Sequence, residues 1–136
     1  MASSLSFNLT CLCGSISEPG TLLSDKGLPA ESEICHCNSC RYATGSLGAS
    51  FPGLNSAPSE KSLSRLTPYH SSDKLTRYFC SRCGCHCFVA VHSRGSWCCL
   101  GGMLERNSDE SGSEKNVVLK DTVKVLTHEY DNLPQD

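Results

Sequence analysis

The spacing of its cysteines constrains this chain more than any other feature. There are eleven, and seven fall into three groups. Cys11 and Cys13 form C-x-C, Cys35, Cys37 and Cys40 form C-x-C-x-x-C, and Cys80 and Cys83 form C-x-x-C followed by Gly84. A chain this rich in cysteine is either a disulfide scaffold or a metal protein. The count is odd, and a C-x-C bridge would strain disulfide geometry. The start, MASSLSFNLT, has neither a basic opening nor a long apolar run, so no export signal is expected. The expectation is a cytoplasmic metal protein whose thiols stay reduced. The NLT sequon at Asn8 is then a chance occurrence.

The chain has 136 residues, which fits one domain over residues 1–136. Its core is expected at about residues 7–127. Hydrophobic residues make up only 38%, so a modest core needs extra stapling, which metal–thiolate bonds would supply. Net charge is −2 and the isoelectric point is near 6.2, which gives no global electrostatic case for nucleic acid. No run of residues approaches a membrane span.

The pattern along the chain is short segments broken by turns. SLSFNL alternates Leu5, Phe7 and Leu9 as a strand running into Cys11, and CLCGSI turns at Gly14. SEPGTLLSDKGLPAES is rich in turn formers and reads as a hairpin or loop. SLGASF reads as a strand, and PGLNSAPSEKSLSR mainly as loop. KLTRYFC alternates and delivers Cys80 to the turn CSRCG. CFVAVH and WCCLGG read as consecutive strands. ERNSDESGSEKN is a charged excursion, expected as a mobile loop at about residues 105–116. VVLKDTVKVL holds one or two short strands. No long segment has helical periodicity, so the expected class is all-β.

Two of the cysteine groups are pairs, and two pairs make a closed four-thiolate zinc site. The three that are left make a second site with an open position, the mark of a catalytic zinc. Spacing alone leaves other partitions open, because Cys80 and Cys83 could join the middle cluster and Cys85 could be a ligand. His36 lies between Cys35 and Cys37 and is expected to point away from a metal held by its neighbours. Cys85, Cys87, Cys98 and Cys99 read as small buried hydrophobes in strands. Arg41 is a candidate for a substrate carboxylate or for offsetting the thiolates beside it.

The segments CLCGSI, LPAESEICHCNSCRYATG and YHSSDKLTRYFCSRCG resemble the glutathione-dependent formaldehyde-activating enzyme family, which is grouped with the centromere protein V domain. The resemblance runs from about Phe7 to about Leu104 and includes Gly14, Arg41, Gly45, Ser72, Arg77, Phe79 and Gly84. It implies a zinc-stapled, all-β fold called the β-tent. It implies a structural zinc on Cys11, Cys13, Cys80 and Cys83, and a catalytic zinc on Cys35, Cys37 and Cys40. The implied activity is a carbon–sulfur lyase, similar to S-(hydroxymethyl)glutathione synthase, acting on glutathione or a related thiol adduct. Cys85 departs from the family pattern, as do the added thiols of CHCF and WCCL and the segment after Glu105.

The chemistry of the open site agrees with that activity. Three thiolates and one Zn²⁺ carry a single net negative charge, a poor Lewis acid for water but a good holder of a nucleophilic sulfur. Arg41, Arg77, Arg82 and Lys74 are candidate anchors for the carboxylates of glutathione. His36 and Tyr69 are candidates for moving a proton to a developing alkoxide. The expectation is two zinc ions per chain, the three-thiolate one held less firmly and partly occupied. The partner is a small thiol such as glutathione, with no nucleic acid and no membrane, in a monomer or homodimer. The competing expectations are a non-catalytic zinc-binding interaction module and a redox or metal-handling protein.

Overall fold

The computed structural model describes residues 3–24, 30–105 and 123–129. In chain order its elements are β1 (Ser3–Thr10), β2 (Ser17–Ser24), β3 (Ala30–Cys35), α1 (Asn38–Thr44), β4 (Ala49–Ser50), β5 (Gly53–Leu54), α2 (Glu60–Leu63), β6 (Leu66–His70), β7 (Leu75–Cys80), β8 (His86–Val91), β9 (Ser96–Cys99), β10 (Leu104–Glu105) and β11 (Val123–Glu129). The class is all-β. Eight strands form one sheet in the order β10-β1-β2-β5-β9-β8-β7-β6, and β11-β3-β4 form a second. No helix among the described residues is long and apolar enough to cross a membrane.

The strand expected at SLSFNL is β1, and its alternation buries Phe7 and Leu9. Its partner corrects the expectation for SEPGTLLSDKGLPAES. Ser17–Ser24 is a full strand, paired with β1 from Ser3↔Ser24 to Thr10↔Ser17. Pro19 and Gly20 suggested a turn, but the other neighbour of β2 meets it only at Leu22↔Leu54. Pro19 therefore lies where one side of the strand has no ladder to complete, which proline tolerates. Gly20 is needed for another reason. A β-carbon there would run into the side chain of Leu9, which is 2% exposed and has little room to move.

The segments KLTRYFC, CFVAVH and WCCLGG give β7, β8 and β9, an antiparallel run joined by short turns. In β8, Cys87, Phe88, Val89 and Ala90 are all buried, so both faces of that strand are covered. The register slips between Tyr78 and Phe79, where Cys87 is the extra residue on β8, a bulge that bends β8 beside the end of β7. The predicted loop PGLNSAPSEKSLSR contains β5 and the single-turn α2. Ser59 caps that helix, and the Glu18 carboxylate accepts from Ser59 N–H at 3.2 Å and from the Ser59 hydroxyl at 2.8 Å.

In the second sheet β3 is the middle strand, antiparallel to β4 through Cys35↔Ala49 and parallel to β11 through Glu129↔Cys35. Residues 123–126 of VVLKDTVKVL are therefore strand. The excursion expected at about 105–116 lies, past Glu105, outside the described residues, as do residues 117–122.

Candidate metal centres

Cys11 follows β1 and Cys80 ends β7, and four strands stand between these two in the sheet. A flat sheet would hold β1 and β7 about 24 Å apart. Yet Cys13 Sγ lies 3.7 Å from Cys80 Sγ, so the sheet curls until the ends of β1 and β7 approach at this point. Both cysteine turns close in the same way. Gly14 N–H donates to Cys11 O at 3.2 Å and Gly84 N–H to Cys80 O at 2.9 Å. Each glycine has φ near 77°, a left-handed conformation that side chains disfavour.

The sulfur atoms of Cys11, Cys13, Cys80 and Cys83 all lie within 4.8 Å of one another. Cys11 Sγ and Cys13 Sγ are 3.7 Å apart. Four thiolates on a tetrahedral zinc at about 2.3 Å would sit about 3.8 Å apart, so the group fits that metal. Its surroundings favour thiolate. Ile16 N–H donates to Cys11 Sγ at 3.4 Å. Cys80 Sγ accepts from Arg82 N–H at 3.4 Å and Cys83 N–H at 3.5 Å, and the Ser15 hydroxyl lies 3.3 Å away. Burial acts to raise the Cys80 thiol, but the Ser15 hydroxyl and the amides of Cys83 and Arg82 bring it down to about 6. The amide and hydroxyl of Ser15 also lower Cys13, whereas burial raises Cys11.

Cys35, Cys37 and Cys40 form the second group, again with sulfurs within 4.8 Å of one another. Their positions come from three different local rules. Cys35 ends β3 and is laddered on both sides. Cys37 is the N-cap of α1, its sulfur accepting Cys40 N–H at 3.4 Å. Cys40 lies in the first turn of that helix, buried. Gly45, left-handed at φ 67°, ends α1 and donates to Arg41 O at 2.8 Å. Here burial comes first among the causes that push the Cys40 and Cys35 thiols up, and the neighbouring thiols push Cys40 further. With three ligands and one place left, this donor set suits a zinc whose coordination is not closed.

Three residues beside this group matter, and a fourth shares a sheet face with one of them. Arg41 Nε donates to His36 O at 3.1 Å and its Nη2 donates to Asn38 Oδ1, which braces the cysteine loop. Its guanidinium carbon also lies 5.6 Å from the centre of the exposed Tyr42 ring. His36 Nδ1 lies 2.9 Å from Leu47 O. A carbonyl only accepts, so Nδ1 carries a proton. The ring packs on Gly48, where a β-carbon would come within 3.0 Å of His36 Cε1. Arg77 is not a surface anchor. It is 4% exposed and its Nη2 donates toward Cys40 Sγ at 4.0 Å. Tyr69, 62% exposed, pairs with Arg77 across β6 and β7 and so shares its face of the sheet. Arg82 and Lys74 are both exposed.

The two sulfur groups are those that spacing suggested, and Cys80 and Cys83 stand with Cys11 and Cys13. Cys85, Cys87, Cys98 and Cys99 are in neither group. Cys87 and Cys99 are fully buried in strands, as expected. Cys98, in β9, is only half-buried, and Cys85 is half-buried and precedes β8 rather than lying in a strand. The Ser15 contact with Cys80 was missed in the sequence. Its only signal is that Ser15 follows the C-x-C-G turn.

A family model described as glutathione-dependent formaldehyde-activating enzyme matches residues 6–120 of the chain. No curated protein matches it.

Proposed function

Because the chain belongs to the glutathione-dependent formaldehyde-activating enzyme family, we propose that it is a zinc-dependent carbon–sulfur lyase acting on glutathione or a related thiol adduct. The observation that carries this is the unequal division of seven cysteines, four gathered in one group and three in another. Cys11, Cys13, Cys80 and Cys83 would hold a structural zinc, and Cys35, Cys37 and Cys40 a catalytic one. Zinc bound at the second group supplies a fourth coordination position for a substrate sulfur and keeps that sulfur a nucleophilic thiolate.

The chain's own residues then have defined tasks. Cys37 and Cys40 are fixed to α1, so two of the three sulfurs move as one unit with the helix. Arg41 braces the same loop through His36 O and Asn38 and has a guanidinium edge to offer a carboxylate. Tyr69, on the same face as Arg77, offers a hydroxyl. His36, its Nδ1–H held by Leu47 O, is the imidazole beside the cluster for moving a proton. In the synthetic direction a carbon–sulfur bond forms and the carbonyl π bond of the aldehyde breaks. The alkoxide takes one proton, matching the one the thiol released. Holding two small reactants together supplies much of the rate gain.

The test is the rate at which glutathione and formaldehyde combine, followed by NMR in both directions against the uncatalysed background. The wild-type protein should exceed the background and Cys37→Ser should not. Equal rates for the two above background would count against chemistry at this cluster.

A further inference from the structure

Among the residues whose burial is described, Arg77 is the only Arg, Lys, Asp or Glu that is buried, at 4% exposure. It stands in β7 between two paired strands, opposite Tyr69 on β6 and Val89 on β8. Its backbone is thus fixed on both sides. A guanidinium taken out of water is costly unless negative charge meets it. One group it reaches is the Cys40 sulfur, 4.0 Å from Nη2 and 37 residues away in the chain. Cys40 belongs to the three-cysteine group, not the four-cysteine one. The two groups therefore differ in more than ligand number. The four-cysteine group is supplied with amide and hydroxyl donors. The three-cysteine group has an amide donor too, Cys40 N–H on Cys37, but also has a full positive charge placed against it.

We propose that Arg77 is a positioning residue for the open site, its buried guanidinium supplying the counter-charge that lets three thiolates keep a metal and accept a fourth, anionic sulfur. This inference rests on the proposed function. Three thiolates and Zn²⁺ carry one net negative charge, and a bound substrate thiolate would make it two. Arg77 lowers each total by one. A neutral side chain leaves that charge uncompensated in a buried place, and the fourth sulfur meets the greater penalty. The guanidinium is always charged and its fork is planar, so it keeps this role at any working pH.

The test uses the full chain as wild type, Arg77→Met, Arg77→Gln and Arg77→Lys. Zinc is withdrawn by a chromophoric chelator, and two release phases are expected, the looser from the three-cysteine site. Cobalt-loaded protein is titrated with glutathione in parallel, following the thiolate-to-metal charge-transfer band. The neutral variants should keep the tight phase and bind the loose metal about 10- to 100-fold more weakly. Their charge-transfer response should need correspondingly more glutathione, and Arg77→Lys should recover most of both. An unchanged loose phase and glutathione response in Arg77→Met would overturn the inference. Should the neutral variants lose the tight phase too, Arg77→Lys decides alone. A loose phase within about threefold of wild type supports the role, and about a tenfold loss contradicts it. A wild-type protein with two zinc phases and no glutathione response would count against the proposed function. An unchanged Arg77→Met beside a responsive wild type counts against Arg77 alone.

Discussion

The Ser15 hydroxyl lies 3.3 Å from the Cys80 sulfur, although 65 residues separate the two in the chain. It joins two amides on the same sulfur, and it is the one donor there that can be removed without touching the backbone. Ser15→Ala should weaken the tighter zinc about tenfold and leave the looser one as it was. Chelator competition reads both. Equal weakening of the two would mean that Ser15 acts on the fold as a whole.

Gly84 separates backbone cost from packing cost. An added β-carbon there meets nothing within 4 Å, yet φ is +77°. Gly84→Ala should lose about 1–2 kcal/mol of stability from the left-handed conformation alone. Gly84→Asn should lose less, because asparagine visits that region more readily. Thermal unfolding of the zinc-loaded variants measures the difference.

Gly20 is the opposite case. Its backbone is ordinary strand, but the Leu9 side chain fills the space a methyl would need. Gly20→Ala should cost about 1–3 kcal/mol by overpacking. Part of that should return in the double variant with Leu9→Ala, which a double-mutant cycle in denaturant would show.

The four cysteines outside the two groups should be dispensable for metal. Cys85→Ser and Cys98→Ser are expected to keep the zinc content of the wild-type protein, measured by elemental analysis after gel filtration. Loss of a zinc from Cys85→Ser would show that Cys85 enters the ligand set.

What the sequence revealed follows from how local each cause is. β1, β7, β8 and β9 were legible because apolar alternation or a short apolar run between turns marks them. The cysteine groups were legible because C-x-C and C-x-x-C place sulfurs together by local turns. β2 was not, since Pro19 and Gly20 signal a turn, and only the facing β1 and the Leu9 side chain show why they stand in a strand. α1 was missed because a seven-residue helix is too short to show a period. Its limits come from a cysteine cap and from Gly45. The burial of Arg77 was invisible for a different reason. KLTRYFC reads as an exposed arginine in an alternating strand until Cys40 arrives from elsewhere in the chain.

The most direct measurement is zinc K-edge X-ray absorption on the two-zinc protein, before and after saturation with glutathione. Seven cysteine sulfurs shared by two metals average three and a half per zinc. The expected result is that value in the free protein, rising to four when the thiol sulfur joins the group of Cys35, Cys37 and Cys40. Four sulfurs per zinc before glutathione is added, or an average that glutathione leaves unchanged, would contradict an open site built for a substrate sulfur.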